Sequence, residues 1–233
     1  MDKSCPLSMR YPISYSISFK KNKLPGILIA LEGIDGSGKT TQAQELVKRL
    51  KKEKHKVIYT KEPTDEPTGK LIRQVLAGEI KVPPLSLQYL FSADRGVHQL
   101  ELEKYLSKGY IVITDRYFWS AVAYGISDLQ GEPDYYMAAF SILSMYHQFM
   151  APNFTFFLDV SVDEAFKRIS KSSKHSEIYD KKDKLVKIKN AYDLLIKKFE
   201  KEFVVVNGEN DIDEVQEDLI AEVIDVVKKN KSK

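Results

Sequence analysis

The stretch Gly33-Ile-Asp-Gly-Ser-Gly-Lys-Thr40 decides the fold that we expect of this chain. It fits the pattern G-x-x-x-x-G-K-[ST], and it lies between the apolar run Ile27–Leu31 and a segment with helical spacing, Thr40–Lys52. In that setting the glycines let backbone N–H groups converge on phosphate oxygens at the start of a helix. Lys39 adds a positive charge, and the Thr40 hydroxyl can ligate Mg²⁺. The stretch therefore predicts a nucleoside triphosphate site, although it does not identify the phosphate acceptor.

Short apolar runs alternate with helical segments along the rest of the chain. The runs are too short to be buried helices and are typical of parallel strands covered on both faces. The predicted strands are Ile27–Leu31, Val57–Thr60, Ile111–Thr114, Phe154–Leu158 and Phe203–Val206. The predicted helices are Thr40–Lys52, Leu85–Leu106, Tyr135–Met150, Val162–Ile169, Leu185–Phe199 and Ile212–Val227. This alternation predicts a three-layer α/β domain, in which a five-stranded parallel sheet carries helices on both faces.

The composition excludes several classes of protein. A hydrophobic share of 43% over 233 residues suffices for a large core, and a single cysteine, Cys5, cannot form an internal disulfide. Lys and Arg number 36 against 33 Asp and Glu, so charge gives no reason to expect a nucleic-acid partner. No window holds 18 uncharged apolar residues, and the four histidines lack metal-ligand spacing. We expect a soluble, cytoplasmic protein with no membrane contact and no zinc site.

Two segments differ in composition from the body of the predicted domain. Residues 1–24 form an N-terminal extension in which apolar residues alternate with serines from Ile13 to Phe19, so we expect it to be disordered or to form one edge strand. Residues 25–233 form the nucleotide-binding domain. Within it, Ser, Lys and His replace the apolar spacing over residues 170–180, which predicts a short flexible lid.

Several stretches match a known pattern in their order and spacing. They are Leu31-Glu-Gly-Ile-Asp-Gly-Ser-Gly-Lys-Thr-Thr-Gln42, Lys61-Glu-Pro63, Gly69-Lys-Leu-Ile-Arg73, Leu90-Phe-Ser-Ala-Asp-Arg95 with His98, Asp115-Arg-Tyr117 with Ser120 and Ala123-Tyr124, and Ala151-Pro-Asn-Phe-Thr-Phe-Phe-Leu-Asp-Val160. From about Leu24 to Val227 the chain resembles the thymidylate kinase family of nucleoside monophosphate kinases. The resemblance implies a P-loop kinase fold, transfer of the ATP γ-phosphoryl group to dTMP to give dTDP and ADP, Mg²⁺ as cofactor, and a homodimer.

Two other functions stay open as alternatives. One is a kinase for another deoxynucleotide or a nucleoside, and the other is an NTP-driven switch that uses the phosphate loop for binding alone. A switch would have no use for a second cluster formed by Phe91, Arg73, Arg95 and Arg116.

Phe91 and Arg95 are four residues apart on one predicted helix, so their side chains share a face. The ring can stack on a nucleobase while the guanidinium takes a phosphate in a bidentate grip. Taken alone, a core Phe beside a surface Arg is the commoner origin of such a pair. The resemblance implies that Phe91 lies against thymine and that Arg95 and Arg73 bind the acceptor phosphate.

Asp115 and Arg116 directly follow the predicted strand Ile111–Thr114, and ligands bind at the carboxyl ends of strands in an open parallel sheet. Asp115 is placed either to hold Mg²⁺ together with Thr40 or to cap the next helix. The resemblance implies that Arg116 reaches the acceptor phosphate.

Four further residues have both an ordinary and a functional interpretation. Asp35 could favour the helix dipole, Tyr124 could be core, and Pro63 and Asn207 are ordinary turn residues. The resemblance implies instead that Asp35 binds the sugar 3′-hydroxyl and that Tyr124 lies under the deoxyribose and excludes ribonucleotides. It also implies that Pro63 lines the base pocket and that Asn207 contacts adenine.

These interpretations give four sets of residues. The catalytic set is Lys39, Asp115, Arg116 and Arg168. The ATP set is Gly33, Asp35, Gly36, Ser37, Gly38, Lys39, Thr40, Thr41, Arg168 and Asn207. The dTMP set is Asp35, Pro63, Arg73, Phe91, Arg95, Arg116 and Tyr124. The metal set is Thr40 and Asp115.

The predicted lid contains no arginine. In the family, a phosphate loop without arginine at its variable positions usually goes with lid arginines that stabilise the transferring phosphoryl group. Here Arg168 stands at the entrance to the lid, and Lys171 and Lys174 lie within it. We expect Arg168 to supply the guanidinium and one of the lysines to assist, with solvated, uninvolved lysines as the alternative.

Three features bear on assembly and base recognition. Tyr135–Met150 is apolar around much of its circumference, which indicates either core burial or, as the resemblance implies, a homodimer face. Gly125 stands where bacterial members often have glutamine, so a hydrogen bond near the base is lost or supplied elsewhere. Trp119 stands where a small or polar residue is usual.

Overall fold

The structure is a computed structural model that describes residues 18–128, 135–170 and 178–231. Its strands are β1 (Lys20–Lys21), β2 (Ile27–Glu32), β3 (Val57–Lys61), β4 (Ile111–Asp115), β5 (Met150–Ala151), β6 (Phe154–Asp159) and β7 (Val204–Asn207). Its helices are α1 (Lys39–Lys52), α2 (Pro67–Leu76), α3 (Pro84–Leu106), α4 (Phe118–Asp128), α5 (Tyr135–Tyr146), α6 (Val162–Ser170), α7 (Ile178–Lys198) and α8 (Ile212–Lys231), with a 3₁₀ turn at Glu200–Glu202.

Five parallel strands form the central sheet in the order β3-β4-β2-β6-β7. The register pairs Leu31 of β2 with Asp115 of β4 and with Phe156 of β6. The predicted five-stranded parallel sheet is therefore confirmed. The chain leaves β2 towards one edge of the sheet and crosses to the other edge after β4. The carboxyl ends of β2 and β4 consequently border the crevice in which ligands bind in open sheets.

The residues of β2 alternate between two cores, because successive strand side chains point to opposite faces. Leu28 and Ala30 belong to a core that also takes side chains from α3, α4, α5 and α7. Ile27, Ile29 and Leu31 belong to a second core with side chains from α1 and α8. All residues of β2 are buried, which explains why the strand reads as a continuous apolar run. The predicted three layers are thereby confirmed.

Four helices differ clearly from the prediction, and one of them, α7, begins at Ile178, seven residues before the predicted start at Leu185. The sequence pattern did not indicate α2 or α4. Most of the described side chains of α4 are buried. This helix therefore has little of the polar face that gives an amphipathic helix its period. The predicted helix Tyr135–Met150 ends at Tyr146 instead. The Met150 backbone N–H donates to Gln99 Oε1 at 3.0 Å, and Met150 begins β5. The spacing of apolar residues alone does not distinguish a helix that continues to Met150 from one that ends at Tyr146 and is followed by a strand.

The N-terminal extension and the lid are described only in part. Lys20–Lys21 forms a short strand that pairs in parallel with Met150–Ala151 and not with the central sheet. Residues 1–17 and, within the predicted lid, residues 171–177 lie outside the described residues, so the division at residue 24 and the lid stay predictions. Of the helices in the described ranges, none is long and apolar enough to cross a membrane.

Candidate active site

The loop between β2 and α1 has a backbone suited to anions. Gly36 (φ 82°) and Gly38 (φ 94°) adopt the left-handed conformation that other residues rarely adopt. A Cβ at Gly36 would lie 2.4 Å from the Ala165 carbonyl oxygen, so only glycine fits there. The first turn of α1 begins at Lys39 and contains no acidic residue, so the positive end of its dipole is not neutralised. The loop can therefore receive phosphate oxygens.

The ammonium group of Lys39 is folded back onto this loop. Its Nζ donates to the carbonyl oxygens of Gly33 (3.0 Å) and Ile34 (2.7 Å) and lies 3.3 Å from Ser37 Oγ. Burial and the Arg116 charge lower the pKa of Lys39 to about 7. Phosphate oxygens at this position would favour the charged ammonium, because opposite charges stabilise each other strongly in a buried site.

The end of β4 brings Asp115 against the start of α1. Thr40 Oγ1 donates to Asp115 Oδ2 at 2.5 Å, and the Tyr59 hydroxyl donates to the same oxygen at 3.4 Å. Hydroxyl and carboxylate oxygens are ligands that Mg²⁺ accepts, usually with substrate phosphates and water completing its shell. The pair therefore fits the predicted metal site. Within the described ranges, no cluster of three or more His, Cys, Asp or Glu residues could hold a metal by itself.

Arg116 connects the predicted sugar-binding residues to the sheet. Its backbone has a φ of 71°, a left-handed conformation that costs a non-glycine residue about 1–3 kcal/mol and is concentrated at functional sites. Its Nη1 donates to Ser120 Oγ at 3.0 Å, and its Nη2 donates to the Asp35 carboxylate and to the Tyr124 hydroxyl, the latter at 3.2 Å. Burial would raise the pKa of Asp35, but the charges of Arg116 and Lys39 hold it below its usual range. The structure thus brings Asp35, Arg116 and Tyr124 together.

A cleft of about 580 Å³ opens beside these groups. It is lined by Asp35, Gly36, Gly38, Lys39, Thr40, Thr41, Lys61, Glu62, Pro63, Arg73, Asp115, Arg116, Arg168 and Ile169. Arg73 Nη1 donates to the carbonyl oxygens of Pro63 (3.0 Å) and Thr64 (2.6 Å), while its Nη2 lies 3.3 Å from Asp65 Oδ1. The cleft therefore joins the phosphate loop, the Thr40–Asp115 pair and three arginines in one space.

Arg95 does not line this cleft. Its side chain is 2% exposed, and its Nε (3.0 Å) and Nη2 both donate to Glu62 Oε2. Its guanidinium lies 4.5 Å from the centroid of the Tyr146 ring. The second oxygen of Glu62 lies 2.9 Å from His98 Nδ1. Burial would raise the pKa of Glu62, but the Arg95 charge and the His98 hydrogen bond hold it below its usual range.

This geometry changes the expectation for the pair on α3. Two nitrogens of the Arg95 fork already bind a carboxylate, so the fork is not free for a bidentate grip on phosphate. Only Nη1 of Arg95 lacks a partner among the residues that the structure describes. The alternative of a core Phe beside a surface Arg is wrong, because Arg95 is the fully buried member and Phe91 is half-buried, while a role of Arg95 in nucleotide binding stays a prediction.

The chain matches known proteins over most of its length. The family model described as thymidylate kinase matches residues 31–219. A protein of Thermococcus gammatolerans described as "Probable thymidylate kinase" is 36% identical over 208 residues, which cover 84% of this chain and 94% of the relative. The chain belongs to the thymidylate kinase family.

Other members of the thymidylate kinase family agree in sequence and in structure. The "Probable thymidylate kinase" of Methanococcus vannielii is 40% identical over 77% of this chain and 85% of its own length. The solved structure of thymidylate kinase from Candida albicans superposes with a TM-score of 0.70 at 25% identity, covering 88% of this chain and 93% of that one. The predicted family, fold and enzyme class are confirmed, and the chain is a kinase that phosphorylates dTMP with ATP.

Arg168 is the arginine that this member of the thymidylate kinase family places beside its phosphate loop. Its Nη1 donates to the Gly208 carbonyl oxygen at 3.1 Å and lies 3.9 Å from the position that a Cβ at Gly38 would take. It therefore connects the phosphate loop with the turn after β7. Lys171 and Lys174 lie outside the described residues, so their assistance stays a prediction.

Asn207 forms the turn between β7 and α8. Its Oδ1 accepts from the Glu209 backbone N–H at 3.1 Å, and its Nδ2 donates to Asn210 Oδ1 at 2.7 Å. These bonds account for Asn207 as a turn residue. An adenine contact stays a prediction, because this side chain is exposed but does not line the cleft.

Besides Glu62, two further buried carboxylates were not identified as functional from the sequence. Asp94 accepts from the Thr64 backbone N–H (2.8 Å), from Thr64 Oγ1 (2.6 Å) and from Thr68 Oγ1 (2.7 Å), so it fixes the loop that precedes α2. Glu32 accepts from Ser120 Oγ, from the Tyr192 hydroxyl (2.9 Å) and from the backbone at the start of α4. Burial raises the pKa of Glu32. Both acids lie within matched motifs, but their partners are distant in sequence and give no local signal.

The two departures from the family pattern have structural explanations. A Cβ at Gly125 would lie 2.3 Å from Ile142 Cδ1 and 3.0 Å from Gln88 Nε2, so a larger residue there would displace the ends of these two side chains. Trp119 is fully buried among aromatic side chains, with its ring centroid 4.9 Å from that of Phe203. It fills the core and does not face the cleft.

Proposed function

We propose that ATP and dTMP occupy the cleft with their phosphates meeting between the phosphate loop and the arginines Arg73 and Arg116. The observation that carries this proposal is that the cleft is bordered both by Lys39 in its glycine loop and by these two arginines. An anion on each side fits such a distribution of positive charge. The reaction needs the donor and acceptor phosphates side by side. In this arrangement Lys39 and its loop bind the first, and the two arginines bind the second.

The donor half is formed by the phosphate loop and its neighbours. Backbone N–H groups of the loop, together with Lys39, receive the β- and γ-phosphates. Arg168, which borders the cleft beside the loop, approaches the transferred phosphoryl group. The adenine lies towards the turn at Asn207. The residues that we assign to ATP are Gly33, Asp35, Gly36, Ser37, Gly38, Lys39, Thr40, Thr41, Arg168 and Asn207.

Mg²⁺ is the cofactor that the oxygens of Thr40 and Asp115 would hold. Their separation of 2.5 Å supports one site for both oxygens, with the hydroxyl proton turned away from the ion. When bound, the ion neutralises charge that develops on the phosphate oxygens. The hydrogen bond to Asp115 also orients Thr40 at the start of α1, so both oxygens would be close together before nucleotide binds.

The acceptor half is formed by α2, α3 and α4. Arg73 and Arg116 bind the phosphate of dTMP, Asp35 accepts from the sugar 3′-hydroxyl, and Tyr124 lies against the deoxyribose. Phe91 stacks on thymine, and Pro63 closes the pocket. For Arg95, one nitrogen is left for a contact with the nucleotide, since Glu62 holds the other two.

The chemistry requires no general base. The phosphate of dTMP is already anionic at neutral pH, so its oxygen can attack without first losing a proton. Catalysis then depends on alignment and on neutralising charge in the transition state. We assign this role to Lys39, Arg116 and Arg168, with Asp115 holding the metal.

A homodimer is the assembly that we infer, although its surface differs from the predicted one. Ile142, Leu143 and Tyr146 of α5 are buried within the chain, in line with the core alternative. Three large apolar side chains of α3 are instead exposed on one side of that helix. They are Leu85 (61%), Tyr89 (57%) and Leu100 (70%). Sedimentation of the wild type and of Leu100→Glu tests this surface, and a wild-type monomer would contradict it.

A coupled assay with dTMP, dUMP, dCMP, dGMP and thymidine as acceptors tests the proposed function. We expect dTMP to be the dominant acceptor, and Arg73→Ala to raise its KM while the KM for ATP changes little. Dominant turnover of another acceptor would make the chain a kinase for that substrate. Absence of dTMP binding by calorimetry at millimolar concentration would favour the NTP-driven switch.

A further inference from the structure

Gln88 has a buried amide group that takes no part in the roles proposed above. Gln88 lies on α3 and is only 5% exposed. Its Oε1 accepts no hydrogen bond from any residue in the described ranges. A buried amide oxygen without a partner costs about 1–3 kcal/mol, so native proteins leave few of them. A bound ligand could supply the missing donor for this oxygen.

The position of Gln88 relates it to the nucleotide. Its Nε2 lies 3.0 Å from the point at which a Cβ of Gly125 would stand. Gly125 follows Tyr124, whose hydroxyl contacts Arg116 at the cleft. The amide thus packs against the residue that follows Tyr124, the residue that we place against the sugar.

The helix spacing supports the same location. Gln88, Phe91 and Arg95 lie three and four residues apart, so their side chains share one face of α3. Gln88 and Arg95 are separated by about 10.5 Å along the axis, and Phe91 lies between them. The two buried polar groups therefore flank the half-buried ring on which the base would stack.

We propose that Gln88 anchors the nucleobase by accepting a hydrogen bond from the N3–H group of thymine through Oε1. The proposal rests on the proposed stacking of the base on Phe91. Thymine N3–H is the one donor on the pairing edge of that base, and Oε1 is an acceptor without a donor. The lack of a side chain at Gly125 leaves the Gln88 amide in this position, because a Cβ there would lie only 3.0 Å from Nε2.

The Gln88 amide recognises the pairing edge of the base and requires an N3 without a substituent. A carboxamide can present either oxygen or nitrogen after a rotation of its terminal bond. Gln88 can therefore meet N3–H of thymine or the bare N3 of cytosine. A methyl group on N3 satisfies neither arrangement and collides with the amide.

The first experiment compares Gln88→Met with the wild type in steady-state assays. Loss of one hydrogen bond predicts a fall of about tenfold in kcat/KM for dTMP, or about 1.4 kcal/mol, appearing mainly in KM. The KM for ATP is expected to stay within twofold. Gln99→Met is the matched control, since Gln99 lies on the same helix but its amide is satisfied by Tyr117 (2.6 Å) and by the Met150 backbone (3.0 Å). This control is expected to lower the melting temperature without a selective change in the KM for dTMP.

The second experiment uses N3-methyl-dTMP and keeps the proposal testable if Gln88→Met folds poorly. The wild type is expected to disfavour this analogue strongly against dTMP. Gln88→Ala removes the collision and the acceptor together, so the preference for dTMP is expected to shrink at least tenfold. Two results would overturn the proposal: an unchanged kcat/KM for dTMP in a folded Gln88→Met, or an unchanged preference between the two nucleotides in Gln88→Ala. A wild type that does not phosphorylate dTMP at all would instead refute the proposed function.

Discussion

Replacement of Glu62 by glutamine tests whether the buried ion pair beneath the cleft holds the acceptor half together. Glu62 and Arg95 have side chains 4% and 2% exposed, and the carboxylate also binds His98. Glutamine keeps the shape but removes the charge, which leaves the Arg95 guanidinium buried without a counter-ion. Breaking a buried pair in this way costs about 3–5 kcal/mol, a large share of a typical domain stability of about 5–15 kcal/mol.

The expected loss is large enough for a simple thermal measurement. For a chain of this size, about 1 kcal/mol corresponds to roughly 2–4 °C, so Glu62→Gln should melt roughly 6–20 °C below the wild type. Differential scanning calorimetry gives this difference directly. Glu101→Gln, an exposed glutamate of α3, is the control and should change the melting temperature by less than about 2 °C.

Two further measurements separate the ion pair from other causes. The double variant Glu62→Gln/Arg95→Met removes both charges and should recover most of the stability. With no charge buried, there is no cost of removing a charge from water that an ion pair would have to offset. The pKa of Glu62 is held low in the folded chain, so its contribution is present above the unfolded pKa and is lost as pH falls through the folded value. The deficit of Glu62→Gln should therefore shrink below about pH 4. A deficit under about 1 kcal/mol at pH 7, or no recovery in the double variant, would refute the reasoning.

Three other predictions concern the nucleotides. Because the pKa of Lys39 is about 7 in the free chain, most Lys39 is neutral at pH 8, and ATP binding there should take up about 0.9 proton. Calorimetry in buffers of different ionisation enthalpy measures this uptake. A binding enthalpy that is the same in all buffers would contradict the prediction. Arg168→Ala should lower kcat by roughly 10² or more with dTMP binding little changed, whereas the exposed Lys167→Ala should keep parental kcat. Tyr124→Ala should relax the preference for the deoxyribonucleotide over the ribonucleotide, and Tyr124→Phe, which keeps the ring, should retain it; equal discrimination in all three enzymes would assign the preference elsewhere.

The sheet and the glycine loop before α1 could be predicted from the sequence because both depend on local pattern. The strands are continuous apolar runs, and the phosphate loop requires its glycines within a few residues of Lys39. The packing around the proposed acceptor half was not predicted, because it depends on pairs that are distant in sequence. Glu62 meets Arg95 across 33 residues, and Gln88 meets Gly125 through the packing of α3 against α4. The spacing of apolar residues along the chain does not reveal contacts between distant residues, so the burial of Arg95 could not be predicted.

Buried acids give the acceptor half a common construction. Glu62 holds Arg95, Asp94 holds the loop that leads into α2, and Glu32 binds Ser120, which in turn accepts from Arg116. A carboxylate in the interior is unfavourable unless it is fully paired, so each of these acids favours a single arrangement of the groups around it. The cations and the loop are consequently in place before a nucleotide binds, and less conformational entropy is lost on binding. Substitution of any of these acids should therefore raise the KM for dTMP through lost order, even though none of them needs to touch the substrate.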